Sequence, residues 1–175
     1  MPVVQIRRRE FVTRSASGVL LIASPLGAFA QTPAPQAASQ QPIPKRPDPL
    51  AATMVQEFVR KAHTDLPGTK ALLAEQPSLL NATWDWGGGD FEMGIGGAGH
   101  MGSREIAEYL ISQGGRFDIF VAAMLGKLEI VRSLLAAWPA LLTSKGPHGI
   151  PLMRHALAGG EPAKEVAEYL KSLGA

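Results

Sequence analysis

Two stretches of this 175-residue chain recur at fixed intervals, and an internal repeat restricts the architecture before any single helix is assigned. Leu72-Leu73-Ala74-Glu75-Gln76-Pro77-Ser78-Leu79-Leu80 matches Leu134-Leu135-Ala136-Ala137-Trp138-Pro139-Ala140-Leu141-Leu142 at an offset of 62. Glu105-Ile106-Ala107-Glu108-Tyr109-Leu110 matches Glu165-Val166-Ala167-Glu168-Tyr169-Leu170 at an offset of 60. Two interleaved matches in the same order make the region from about Val55 to Ala175 two copies of one unit, each holding two helix pairs of roughly 30 residues. Inside the pairs the period is helical. Leu128, Val131, Leu134 and Leu135 fall at i, i+3, i+6 and i+7, and Ile106, Tyr109 and Leu110 at i, i+3 and i+4, giving one apolar stripe per helix. Gly102, Gly126 and Gly159 are expected to end the first helix of a pair, and Gly114, Gly115 and Gly174 the second, where a left-handed residue is cheapest. No period-two pattern marks a strand, so the expected fold is all-α or nearly so.

Ile150-Pro151-Leu152, Ala156 and Gly159 resemble the Thr-Pro-Leu-His-x-Ala opening and inter-helix glycine of an ankyrin repeat. Ala122-Ala123-x-x-Gly126-x-Leu128-x-Ile130-Val131-x-x-Leu134-Leu135 resembles the body of the same motif, and Gly126 to Gly159 spans the ankyrin period of 33. The pattern departs from the family in places. Leu110 to Leu134 is only 24, so a hairpin between repeats two and three is missing; Thr64 to Gly102 is 38, so the preceding loop is longer. Thr64 also replaces the usual glycine of the first repeat, and three residues are inserted after Gly159. The resemblance implies an ankyrin-like α-solenoid of about four helix-pair repeats over residues 51–175, a recognition scaffold for a protein partner with no shared catalytic apparatus.

The 17 basic and 15 acidic residues are unevenly placed: residues 1–30 hold four of the former and one of the latter, a net +3, which leaves −1 for the remainder. A basic footprint for nucleic acid is therefore absent from the repeat region. Arg7-Arg8-Arg9-Glu10-Phe11-Val12 precedes a mildly apolar run, Val19 to Phe29, that ends in Ala28-Phe29-Ala30, the outline of a secretory signal over residues 1–30. Arg8-Arg9-x-Phe11-Val12 resembles the twin-arginine export signal; Arg7 and Thr13 depart from it, and the general secretory route is the alternative. Gly18, Ser24, Pro25 and Gly27 break the run well short of the roughly 20 apolar residues of a membrane span. The expected location is the periplasm or the exterior, with no membrane attachment once the signal is removed. Residues 31–50, with prolines at 33, 35, 42, 44, 47 and 49, read as a disordered Pro/Ala/Gln-rich linker. Cysteine is absent, which removes disulfides, thiol nucleophiles and thiolate zinc sites.

Candidate contact residues cluster in two loops, 81–92 and 143–150, that occupy equivalent places in the two copies. Trp84, Asp85, Trp86, Asp90 and Phe91 in the first, and Lys145 and His148 in the second, are expected to bind the protein partner, the aromatics supplying area and the acids favouring a basic patch. Trp84 and Trp86 fit a core role as well as a presented one. Gly94-Ile95-Gly96-Gly97-Ala98-Gly99 spells G-x-G-x-x-G but lacks the preceding strand and the following acid of a dinucleotide site, so no cofactor is expected; in the repeat register its glycines permit close stacking. No two of the histidines 63, 100, 148 and 155 share the i, i+4 spacing that aims two ligands from one helix, so no metal or catalytic residue is assigned, and His63 and His100 are expected to bond loop carbonyls. The alternative is a small enzyme or a ligand or metal binder using His100, His148 and the loop from Trp84 to Glu92. That reading requires His100, His148, His155 and Asp85 or Asp90 to converge on a pocket, whereas an interaction module leaves a broad, shallow face. Replacing Arg8 and Arg9 together by lysine is expected to stop export of the folded protein, read by cell fractionation; undiminished export leaves the general route.

Overall fold

A computed structural model describes residues 46–175; the expected signal over 1–30 and the linker up to residue 45 lie outside the described residues. Eight helices and one small hairpin follow in order: α1 (Ala52–Lys61), α2 (Leu66–Glu75), β1 (Thr83–Asp85), β2 (Phe91–Met93), α3 (Gly94–Met101), α4 (Arg104–Ser112), α5 (Ile119–Met124), α6 (Leu128–Ala137), α7 (Leu152–Ala158) and α8 (Lys164–Ser172). The described part is thus mostly helical, as the periodicity predicts. No described helix is long and apolar enough to cross a membrane.

Local chemistry sets where several helices begin. Asp65 caps α2 by accepting from the Gly68 amide at 2.8 Å, and Asp118 caps α5 by accepting from the amides of Phe120 and Val121 at 3.0 Å; such caps are worth about 1 kcal/mol each. Consecutive helices then pack as pairs, α1 with α2, α3 with α4, α5 with α6 and α7 with α8. The first helices stack on one another, α1 on α3, α3 on α5 and α5 on α7, with α7 also reaching α3. Phe58, Leu79, Ile95 and Leu110 are buried in one core cluster, and Val131, Leu152, Val166 and Leu170 in a second.

The duplication recurs in three dimensions. Gln76 and Trp138, 62 apart, have φ/ψ of −135/87° and −135/80° and each leads into a 3₁₀ turn, Pro77–Asn81 and Pro139–Thr143. Lys70 lies 5.0 Å over the Tyr109 ring and Arg132 lies 4.9 Å over Tyr169, so the same cation–π pair is built in both copies.

Two details differ from the sequence expectation. Residues 83–93 form a hairpin that the sequence pattern does not show, because β1 and β2 are three residues each and too short for a period-two pattern. Gly102, Gly114, Gly126 and Gly174 take positive φ as expected, but Gly115 does not, and the left-handed position of the last pair falls on Gly160 (φ 64°) instead of Gly159 (φ −70°). Gly159 is small for a different reason: a Cβ there would lie 2.1 Å from the Met124 carbonyl oxygen.

Glycines matter most in α3. A Cβ on Gly94 would stand 3.0 Å from both Ala62 Cβ and Phe58 Cε1, and one on Gly97 would stand 2.6 Å from His63 Cε1. These positions cost about 1 kcal/mol each in helix propensity relative to alanine, and in return α3 lies directly against α1 and the His63 ring. Gly97→Ala is expected to lower the melting temperature, because forced overpacking costs roughly 1–3 kcal/mol and opposes the propensity gain. An unchanged or raised melting temperature would mean that His63 can withdraw freely.

Candidate functional site

The hairpin is built around one acid at its tip and one at its base. Asp85 accepts from the amides of Gly87 at 2.8 Å and Gly89 at 3.2 Å, which folds the tip, and the pairing Trp84 with Glu92 and Asp85 with Phe91 sets the register. Alternation along β2 then turns Phe91 outward, 62% exposed, and Glu92 inward, 1% exposed.

Four side chains meet the buried carboxylate of Glu92. Trp86 Nε1 donates to Oε2 at 2.7 Å, His100 Nε2 lies 3.0 Å from Oε1, and the Nε2 atoms of His63 and His148 each lie 3.4 Å from Oε2. Every group comes from a different element. His63 follows α1, where its Nδ1 donates to the Val59 carbonyl at 2.9 Å and its own carbonyl accepts from the Ser103 hydroxyl. His100 projects from α3. His148 sits in the 3₁₀ turn Pro147–Gly149 at φ 58°, an uncommon conformation for a residue with a side chain. Asp90 holds it there, accepting from the His148 amide at 2.8 Å and from its Nδ1 at 2.6 Å.

The electrostatics follow from burial. Desolvation pushes the Glu92 carboxyl up, but hydrogen bonds from His100 and Trp86 outweigh it, joined by the attraction of the His63 ring when that ring is protonated, and the group is held below its ordinary value. The His148 amide and then its ring lower Asp90. His155 is lowered by burial, against a raising bond from its Nδ1 to the Pro151 carbonyl at 3.1 Å.

The predicted contact residues divide. Trp86 and His148 meet Glu92, and Asp90 joins the site only by holding His148. Trp84 is half-buried against the first core cluster, Asp85 is spent on the turn, and Phe91 and Lys145 face solvent. His63 and His100 do not bond loop carbonyls as expected: the first bonds a helix carbonyl and the second a carboxylate. His155 stands behind the site, its ring 6.5 Å from that of His100 and its Nε2 without a hydrogen-bond partner among the described residues. The G-x-G-x-x-G glycines are buried inside α3. Sequence reasoning missed Glu92 and His63 as site members. The i, i+4 test finds only ligands that share a helix, whereas these donors come from four elements.

His63, Glu92, His100 and His148 each offer one donor atom, all within 4.8 Å of one another, a set of three imidazoles and one carboxylate that could hold a metal ion. Beside it a cleft of about 440 Å³ is lined by Asp90, Phe91, Met93, Phe120, Lys145 and Pro147. No family model, curated protein or solved structure matches this chain.

A histidine lowered in the folded state stabilises the fold fully above its unfolded value, and that contribution is lost as pH falls from there through the folded value. The melting temperature is therefore expected to drop as pH falls below the ordinary histidine value of 6.5, and His155→Asn, which keeps a donor for Pro151, should flatten the slope. An identical slope in the variant would assign it to another group.

Proposed function

We propose that this chain is an exported, ankyrin-type repeat protein that binds a polypeptide segment at the junction of its two long loops. The observation that carries the reading is that loops 81–92 and 143–150, equivalent in the two copies, join through Asp90 and His148 and border a single cleft. Stacked helix pairs and the recurrence of turn and cation–π pair at an interval of 62 support the ankyrin-type assignment. Phe91, Met93, Phe120 and Pro147 give the cleft an apolar lining, and Asp90, Asp118 and Lys145 make its rim polar. A segment that inserts one apolar side chain between polar neighbours fits this distribution. The contact surface is smaller than the sequence expectation: Trp84 packs on the core, Trp86 is tied to Glu92, and Asp90 and His148 are tied to each other, leaving Phe91 and Lys145 to meet the partner.

A second reading, a ligand or metal binder, is favoured by the convergence of His63, His100 and His148 on Glu92. It is compatible with the first, because none of His63, Glu92, His100 and His148 lines the cleft.

For the partner reading, Phe91→Ala should leave the melting temperature unchanged while costing about 2 kcal/mol or more of binding, as a hot-spot aromatic does. Capture from periplasmic extract by the mature protein tests it: a retained species is expected to be lost with Phe91→Ala and Lys145→Glu and kept with Trp138→Ala, on an exposed site outside the cleft. Equal retention by all three variants would reject the cleft as the binding site.

A further inference from the structure

The geometry points to a divalent transition-metal site, of the kind that takes Zn²⁺, formed by Nε2 of His63, His100 and His148 and a carboxylate oxygen of Glu92. This inference does not depend on the partner reading.

The tautomers carry the argument. The Val59 carbonyl can only accept, so His63 Nδ1 holds the hydrogen of that 2.9 Å bond. The Asp90 carboxylate likewise receives a hydrogen from His148 Nδ1 at 2.6 Å. A neutral imidazole has one N–H, so in both rings Nε2 presents a lone pair, and both lone pairs face Oε2 of a carboxylate. Lone pairs do not attract a carboxylate oxygen. The contact requires a positive centre between them, either a proton on each ring or one shared cation.

The spacing favours the shared cation for these two rings. Both Nε2 atoms stand 3.4 Å from Oε2, outside the 2.7–3.2 Å of a good N–H···O bond. Ligands about 2.0–2.1 Å from a tetrahedral ion lie about 3.3 Å from one another. His100, at 3.0 Å, donates its Nε2 hydrogen to Glu92 while no ion is bound; on binding, the ring takes the other neutral tautomer by exchange with solvent, its hydrogen moving to Nδ1, and Nε2 becomes the third imidazole ligand.

The surroundings match what orients metal ligands elsewhere. Two histidines give their second ring nitrogen to an oxygen, one of them a carboxylate, and Trp86 donates to the ligand carboxylate at 2.7 Å. Three imidazoles and one oxygen suit zinc, cobalt, nickel or copper, whereas calcium and magnesium call for oxygen ligands throughout. Four protein donors complete a tetrahedral shell, the closed form typical of an ion that fixes structure. Such an ion would tie together the end of α1, β2, α3 and the 147–149 turn. Asp90 touches no ion in this scheme and acts as a positioning residue for His148.

The test uses the full chain, free of any polyhistidine tag, stripped with a chelator and titrated with Zn²⁺, Co²⁺ and Mg²⁺. One equivalent of Zn²⁺ should bind and raise the melting temperature, Co²⁺ should develop the visible absorption of a tetrahedral nitrogen-rich site, and Mg²⁺ should do neither. His148→Ala and Glu92→Gln are each expected to weaken Zn²⁺ about a hundredfold or more, and Asp90→Asn by roughly 10–100-fold. Should Glu92→Gln not fold, His148→Ala decides, since its ring is on a partly exposed turn and circular dichroism reports whether the helices persist. The proposal is overturned by absence of stoichiometric Zn²⁺ binding to the stripped protein, by equal Zn²⁺ affinity in folded His148→Ala, or by an octahedral Co²⁺ spectrum.

Discussion

A carboxylate with 1% of its surface exposed is tolerable only where donors or cations surround it, because an unpaired buried charge costs several kcal/mol. Glu92 is that group, and the loop end of the domain is arranged around it. Hairpin register points it inward, Asp85 shapes the tip that brings Trp86 back over it, and Asp90 brings the second loop across to place His148 against the same carboxylate oxygen. Removing the charge would leave three imidazoles and an indole with no common partner. Removing Trp86 or His100 would leave the charge short of a donor.

That arrangement depends in turn on how closely α3 approaches α1. The His63 ring occupies the space a side chain at Gly97 would fill, and Ala62 and Phe58 occupy the space beside Gly94. A helix with ordinary side chains at these points would stand further off and carry His100 away from His63, whose rings now lie 4.9 Å apart. The glycine run therefore has a structural role with a chemical result: it gives up helix propensity to hold two imidazoles within reach of one carboxylate. Contrary to the sequence expectation a strand, β2, runs directly into this glycine run, but it belongs to a two-stranded antiparallel hairpin and not to a βαβ unit.

The helical repeat was legible in the sequence because an apolar stripe is periodic along the chain, and the matched segments at 72–80 and 134–142 have matching backbones. The site was legible only in part. The two loops were identifiable as equivalent, and Trp86, Asp90 and His148 as residues with a role, from composition alone. Glu92 was not, since two strands of three residues show no alternation against background, and its inward direction is set by the pairing of Trp84 with Glu92 across the hairpin. His63 was not either: it lies 37 positions from His100, and nothing short of the α1–α3 contact relates them. Spacing rules detect ligands held by one helix. This cluster is held by tertiary packing.

The two copies differ most where the site forms, and the difference explains why there is one site and not two. The first link runs ten positions from Thr83 to Met93 as a hairpin, while its counterpart runs six from Lys145 to Pro151 with a single bridge and no strands. At an offset of 62, Trp86 corresponds to His148, and both reach Oε2 of the same Glu92, one at 2.7 Å and the other at 3.4 Å. At that offset, too, His63 corresponds to Leu125, which is buried among apolar neighbours. The shorter second link carries no buried acid. The extra length of the first hairpin supplies the carboxylate, the shorter turn supplies an imidazole to meet it, and the stacking of first helices brings the two links to the same end of the array. A duplicated scaffold has thus yielded an unduplicated centre, by combining unlike loops from its two halves around one charge.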